Sequence, residues 1–150
     1  MIGTDISPTQ PAWLPPNLRI ELDDATKPWT YAPDTFDFIH MRYLFGSISD
    51  WAALFGEAYR CARPGGWVES YEPSCVFLSD DGSIPPGSPM HQWGEVFVES
   101  GRRTGRTFTV VEDDLQRRGM VEAGFGEVGV WEFKVRLVFC SPSLLSLCGQ

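Results

Sequence analysis

The sequence predicts an α/β fold, in which parallel strands form a sheet and helices cover its faces. Residues 36–39 and 67–71 have the short apolar pattern of buried strands. Residues 51–62, which lie between them, carry apolar side chains at intervals of three and four, which is typical of a helix packed on a sheet. A strand, a crossover helix and a parallel strand form the unit of a doubly wound sheet, which binds ligands where its strands end. Function is therefore expected at the carboxyl ends of the strands.

The composition is that of an ordinary globular chain with an acidic balance. Its 150 residues suit a single domain, and 43% of them are hydrophobic against 21% that are charged. Twelve Lys and Arg residues are outnumbered by twenty Asp and Glu residues, which gives a net charge of −8. A chain of this charge repels a phosphate backbone on average, so we expect no direct binding of nucleic acid.

The cysteines and the hydropathy pattern indicate whether the protein binds a metal and where in the cell it is located. No two cysteines have C-x-x-C spacing, and neither histidine lies at metal-ligand spacing from them. We interpret the cysteines as reduced intracellular thiols and expect no metal site. No secretory leader and no apolar run of about 18 residues is visible, so we expect a cytoplasmic or nuclear protein without a membrane segment. The residues concerned are Cys61, Cys75, Cys140, Cys148, His40 and His91.

The same patterns predict the other elements. Residues 49–50 supply a polar cap for the helix over 51–62, and the Arg-Pro-Gly-Gly segment at 63–66 ends that helix in a tight turn. The remaining predicted elements are strands over 2–6, 18–22 and 128–138 and helices over 89–103 and 111–123.

Carboxylates and a small residue lie where the first two predicted strands end. Asp5 ends the first strand, and Asp23, Asp24 and Ala25 follow the second. A carboxylate at the tip of a sheet strand can accept hydrogen bonds from the hydroxyls of a ribose. One of the paired carboxylates can accept from an adenine amino group, while the small Ala25 lets the ring approach. The alternative is that these residues are solvated turn or cap residues, since Asp is a common turn former.

Titratable residues are also predicted near the later strands. His40 and Arg42 are expected just beyond the strand over 36–39, and a single histidine there is either a structural group or a catalyst. Glu69 and Glu72 are expected to point to opposite faces, which disfavours the paired carboxylates of a glycosidase. No G-x-G-x-x-G fingerprint occurs, which counts against a nicotinamide-dependent oxidoreductase.

Several motifs occur in an order that resembles a known family. They are Gly3-Thr-Asp-Ile-Ser-Pro8, Asp23-Asp-Ala25 with Trp29, Phe36-Asp-Phe-Ile-His-Met-Arg42, Gly46-Ser-Ile-Ser-Asp-Trp51 and Arg63-Pro-Gly-Gly-Trp-Val-Glu69. This ordered set, within about residues 2–135, resembles class I S-adenosylmethionine-dependent methyltransferases. Within them it is most similar to the fungal LaeA-like group of secondary metabolism.

The resemblance implies a fold and a set of site residues. The fold is a Rossmann-like sheet of seven strands, with helices on both faces and one antiparallel strand near its edge. Asp5 is implied to bind the ribose hydroxyls of S-adenosyl-L-methionine, and Asp24 and Ala25 are implied to adjoin its adenine. His40 and Met41 are implied to line the pocket. His40 is the weak candidate for a catalytic base, and the catalytic residues are otherwise unknown.

The chain also departs from the family pattern at both ends. The family's first strand and its glycine-rich loop should precede Met1, and its last strand should follow residue 135. We therefore expect an incomplete methyltransferase domain over residues 1–138, truncated at both ends, and a tail over 139–150 outside the family pattern. The strands at Asp5 and Phe36 should either leave a gap or pair directly. Open sheet edges of this kind favour association with another chain.

Two functions follow as expectations. The first is methyl transfer from S-adenosyl-L-methionine to a small-molecule or protein acceptor. The alternative is a non-catalytic, methyltransferase-like interaction module that no longer binds the donor.

Overall fold

A computed structural model of the chain describes residues 1–8 and 13–135. These residues contain four strands and three α-helices. In chain order they are β1 (Ile2–Asp5), β2 (Arg19–Leu22), β3 (Phe36–Arg42), α1 (Trp51–Cys61), β4 (Ala62–Tyr71), α2 (Pro89–Thr104) and α3 (Leu115–Ala123). The mixture of parallel strands and helices confirms the predicted α/β class. The expected tail over 139–150 lies outside the described residues.

The strands form two parallel pairs. β1 pairs with β2 so that Asp5 lies opposite Leu22, and β3 pairs with β4 so that His40 lies opposite Glu69. Each pair is a separate two-stranded sheet, so the described residues contain four strands where the resemblance implied seven. β1 and β3 do not pair with each other, which excludes the direct pairing that was one of the two expected arrangements.

β3 and β4 extend further than predicted. The ladder continues from His40 to Arg42, which lies opposite Tyr71, so the prediction that His40 lies beyond the strand is wrong. β4 starts directly after α1. Phe36 pairs with Ala62 and Phe38 pairs with Trp67, so the register of the two strands shifts at Arg-Pro-Gly-Gly. The predicted turn is therefore present as an irregularity inside the strand, where a positive φ of 79° at Gly65 suits glycine.

Two other predictions need correction. α3 begins at Leu115 and not at residue 111, because Asp114 adopts a left-handed conformation with φ 53° just before the helix. The strand predicted over 128–138 is absent from 128–135, where Trp131 and Phe133 are 75% and 73% exposed, and 136–138 lie outside the described residues. Alternating apolar residues form a strand only where a neighbouring strand supplies backbone hydrogen bonds.

The core is built around α1. Asp50 caps this helix by accepting a hydrogen bond from the Ala53 N–H at 2.9 Å, as the sequence predicts. Phe55 and Ala58 are fully buried on the face that the apolar spacing indicates, and α3 packs against the same helix. Burial of a large apolar side chain such as Phe55 contributes about 1.5–3 kcal/mol, so this face is a main source of stability.

Polar contacts attach the segment after β2 to α1. Glu57 accepts a hydrogen bond from the Trp29 N–H at 2.7 Å, and Arg60 donates to the Trp29 and Tyr31 carbonyls at 3.0 and 2.8 Å. The hydrogen bond from Arg60 lowers the pKa of Glu57. Tyr31 in turn donates to Glu21 of β2 at 2.5 Å. These contacts hold the end of β2 against the core that carries β3 and β4.

Glu72 links the segments that follow β3 and β4. It lies directly after β4, and its two carboxylate oxygens accept hydrogen bonds from the N–H groups of Leu44 and Phe45, each at 2.9 Å. A single carboxylate therefore satisfies two backbone donors that the end of β3 leaves without ladder partners. This contact fixes the carboxyl edge of the second sheet.

The packing of α1 against α3 predicts opposite effects at two glycines. A Cβ added at Gly119 would lie 2.6 Å from the buried Phe55 ring, whereas a Cβ added at Gly56 would have no neighbouring atom within 4 Å. We expect Gly119→Ala to destabilise the fold by about 1–3 kcal/mol through overpacking. Gly56→Ala should stabilise it by about 0.5–1 kcal/mol through helix propensity. Urea unfolding measures both, and effects of the same sign would contradict this packing.

Glu72 predicts a specific pH dependence of stability. Burial raises the pKa of Glu72 above its ordinary value of 4.5, although its two backbone hydrogen bonds act in the opposite direction. A raised folded-state pKa gives stability that is present at low pH and is lost as pH rises through that pKa. Glu72→Gln should therefore gain stability relative to wild type between about pH 4.5 and pH 7. Urea unfolding across this range measures the difference.

The exposed carboxylate Glu122 of α3 offers a control for that experiment. Glu122→Gln should show a much smaller change relative to wild type over the same range. A difference between wild type and Glu72→Gln that is constant with pH, or that has the opposite sign, would remove Glu72 as the cause.

Candidate functional site

The first part of the candidate site is the edge where β1 and β2 end. Because the strands are parallel, their carboxyl ends lie at the same edge. The Asp23 N–H donates a hydrogen bond to the Asp5 carbonyl at 3.0 Å, so the segment that contains Asp24 begins directly beside Asp5. Asp5, the last residue of β1, and Asp24, which follows β2, thus lie at one edge of the first sheet.

Local hydrogen bonds orient both carboxylates. Asp5 Oδ1 accepts from the Ser7 N–H at 2.9 Å. Asp24 Oδ1 accepts from the N–H and the hydroxyl of Thr26 at 2.9 and 2.7 Å, and these bonds lower the pKa of Asp24. Asp24 is therefore a hydrogen-bond acceptor at neutral pH and is also a turn residue, which was the alternative interpretation of the sequence. Its second oxygen, Oδ2, is the atom with capacity for a ligand.

Ala25 lies between this edge and the core. It is half-buried and packs against the core cluster that contains Met41 and Trp51. Its carbonyl accepts a hydrogen bond from the Trp29 indole N–H at 3.2 Å.

His40 and Met41 lie on opposite faces of β3, because neighbouring residues of a strand alternate in direction. Met41 is 6% exposed and belongs to the core. The His40 side chain is 45% exposed, and its Nδ1 lies 2.7 Å from Oε2 of Glu69 on β4. The structure therefore does not bring these two predicted pocket residues together on one face.

Several polar groups near the second sheet have no counterpart in the sequence prediction. Gln116 of α3 donates to the Ser70 carbonyl and hydroxyl at 2.8 and 3.0 Å, and the Arg42 guanidinium lies 5.2 Å from the Tyr43 ring centre. The buried Trp51 Nε1–H has no hydrogen-bond partner in the part of the chain that the structure describes. The contact between Gln116 and Ser70 joins residues that are 46 positions apart, so no local pattern indicates it.

An open groove of about 370 Å³ lies along α2. Val76, Phe77 and Val98 form part of its lining, together with His91 and Glu95. The distance from His91 Nδ1 to Glu95 Oε1 is 3.7 Å. The groove is therefore largely apolar with an acidic side. It is formed by α2 and the segment after β4, and its lining includes none of the predicted site residues Asp5, Asp24, Ala25, His40 and Met41.

Possible metal ligands and thiols are described for residues 1–8 and 13–135. Within those residues no group of three or more His, Cys, Asp or Glu side chains is arranged to hold a metal ion. Burial raises the pKa of both Cys61 and Cys75, which favours the thiol form. None of the helices described in this part of the chain is long and apolar enough to span a membrane.

Comparison with known proteins identifies a family for this chain. Residues 1–118 match the family described as a methyltransferase domain. The chain is 38% identical over 135 residues to methyltransferase pytC of Aspergillus terreus, which covers 90% of this chain and 41% of that protein. It is 34% identical to the probable methyltransferase tdiE of Emericella nidulans, over 83% of this chain and 38% of that protein.

A regulator of secondary metabolism is similar as well. The chain is 32% identical to LAE1 of Cochliobolus heterostrophus, over 85% of this chain and 42% of that protein. The chain thus spans about two fifths of the length of these curated relatives. The resemblance inferred from the sequence motifs is confirmed, and the chain belongs to the methyltransferase-domain family, with fungal LaeA-like proteins and the pytC and tdiE methyltransferases among its relatives.

Proposed function

We propose that this chain takes part in methyl transfer from S-adenosyl-L-methionine to a small-molecule or protein acceptor. The observation that supports it most is the pair of carboxylates, Asp5 and Asp24, at the shared edge of two parallel strands in a methyltransferase-family chain. Ligands of doubly wound sheets bind at such edges. We further propose that residues 1–138 form the partial domain and that 139–150 lie outside it.

The residues at this edge suit the nucleoside part of the donor. A carboxylate at Asp5 can accept hydrogen bonds from two ribose hydroxyls, and Oδ2 of Asp24 can accept from an adenine amino group. The lowered pKa of Asp24 keeps it in the accepting form at neutral pH. Ala25 beside it offers no long side chain to block an aromatic ring. The set of residues therefore fits S-adenosyl-L-methionine as a cofactor.

The charge of the chain favours the same ligand. S-adenosyl-L-methionine supplies, when bound, a methyl group on a positively charged sulfur. A chain of net charge −8 attracts such a cation on average. The protein's contribution to transfer is then to hold donor and acceptor in line, since positioning alone can supply much of the rate. His40, exposed on β3, is the candidate base for the acceptor's proton.

A non-catalytic interaction module is the second candidate. The observation that favours it is the exposed outer face of the β3–β4 pair, where Phe38 and Trp67 are 57% and 68% exposed. Strand edges and faces of this kind favour association with another polypeptide. A protein of this type would keep the fold and would give no response to the methyl donor. An intracellular location stays a prediction under either function.

Calorimetry with S-adenosyl-L-methionine tests the proposal. The wild-type chain should bind the donor, and Asp5→Asn and Asp24→Asn should each weaken binding about 10-fold or more, because each removes a charged hydrogen-bond acceptor. Asp37→Asn is the matched control, since Asp37 lies near the start of β3 and pairs with Arg63 at 2.7 Å. It should leave the affinity unchanged.

Two outcomes of this calorimetry would count against the proposal. Absence of heat with the wild-type chain at millimolar donor would favour the interaction module. Equal losses of affinity in all three variants would show that the net charge of the chain, and not the pair of carboxylates at the strand edge, determines binding.

A further inference from the structure

His40 and Glu69 form a cross-strand pair on the outer face of the second sheet. They lie opposite each other in the parallel ladder, and residues in register point to the same face. His40 Nδ1 lies 2.7 Å from Oε2 of Glu69, which is hydrogen-bond distance for a ring nitrogen and a carboxylate. The sequence separates these residues by 29 positions, so only the register of β3 and β4 brings them together.

The rest of this face restrains the imidazole further. The Phe38 ring stacks on the His40 ring with centres 6.3 Å apart and planes inclined by 29°. Two other titratable residues lie on this face, Arg42 of β3 and Tyr71 of β4. They are opposite each other, two residues beyond His40 and Glu69 along their strands. The ring is therefore held at Nδ1 by a carboxylate and on one face by an aromatic side chain.

The position of the carboxylate decides which nitrogen carries the proton. A carboxylate accepts hydrogen bonds and donates none, so Nδ1 must be the protonated nitrogen of neutral His40. The lone pair then lies on Nε2, the nitrogen that points away from Glu69. The His40 side chain is 45% exposed, so the ring is partly open to solvent.

We propose that Glu69 is a positioning residue that fixes His40 as the Nδ1–H tautomer and so makes Nε2 the proton acceptor for a hydroxyl or amine substrate. This inference rests on the proposed methyl-transfer function. An acceptor O–H or N–H gives its proton to Nε2 as its oxygen or nitrogen gains the methyl group, and the electron pair of the broken methyl–sulfur bond stays on sulfur. The substrate class is therefore a protic acceptor that is neutral before transfer.

Nitrogen-15 NMR of the imidazole rings tests the positioning directly. The chain has two histidines, His40 and His91, so the ring signals are few and His91→Gln assigns them. At about pH 8.5, where free imidazole is neutral, His40 of the wild type should be mainly Nδ1–H. Glu69→Ala should reduce this preference roughly fivefold, the scale of one hydrogen bond. The isosteric Glu69→Gln, whose amide either accepts from Nδ1 or donates to it, should fall between them.

The second histidine provides the matched control. His91 Nδ1 lies 3.7 Å from Glu95 Oε1, beyond hydrogen-bond distance. Glu95→Ala should therefore leave the tautomer of both histidines unchanged. Backbone amide spectra establish that each variant is folded. A His40 ring that is Nε2–H in the wild type, or a tautomer that Glu69→Ala does not alter, would overturn the positioning role.

Addition of S-adenosylhomocysteine separates this inference from the proposed function. If both hold, this demethylated product of the donor should move the His40 ring signals and leave those of His91 in place. Binding with no change at His40 would overturn the base role while leaving the proposed function intact. Absence of binding would overturn the proposed function, and with it the base role, whereas the tautomer spectra alone still decide whether Glu69 positions His40.

Discussion

Parallel pairing of neighbouring strands is the constraint on which the candidate site depends. In each pair the strands point the same way, so residues that follow them meet at one edge. This brings Asp5 beside the segment that carries Asp24, and it brings Glu72 to the backbone that follows β3. Antiparallel pairing of the same segments would put those groups at opposite ends of the sheets. The direction of pairing therefore determines which chemistry is possible.

The two pairs are connected through α1 and not through a common ladder. Phe55 and Ala58 bury one face of this helix, while Glu57 and Arg60 on its surface bind the backbone around Trp29. The apolar face supplies stability, and the polar contacts fix the segment that leaves β2. The position of Asp24 relative to the core thus depends on a helix whose own residues are outside the site. Loss of the packing at Phe55 would therefore affect the site indirectly.

Much of this arrangement follows from local sequence patterns. The face of α1 and its cap at Asp50 are predictable because helical periodicity and capping act within a few residues. The carboxylates at Asp5 and Asp24 are predictable as strand-end residues for the same reason. The Thr26 turn around Asp24 is also local, and the sequence indicates it as the alternative interpretation.

Other features depend on distant partners and were not predictable. The end of β3 depends on how far β4 continues beside it, and the shift at residues 63–66 sets which residue lies opposite His40. The pairing of His40 with Glu69 therefore requires the register, which the sequence pattern does not contain. The segment over 128–135 shows the converse case. Its alternating residues predict a strand, yet no neighbouring strand pairs with it in the described part of the chain.

The central claim is that Asp5 and Asp24 bind the two ends of one adenosine at the carboxyl edge of β1 and β2. A crystal structure of the chain with S-adenosylhomocysteine tests this most directly. The account predicts ribose hydroxyls within hydrogen-bond distance of the Asp5 carboxylate and the adenine amino group within the same distance of Asp24. An adenosine bound elsewhere, for example in the groove along α2, would contradict it.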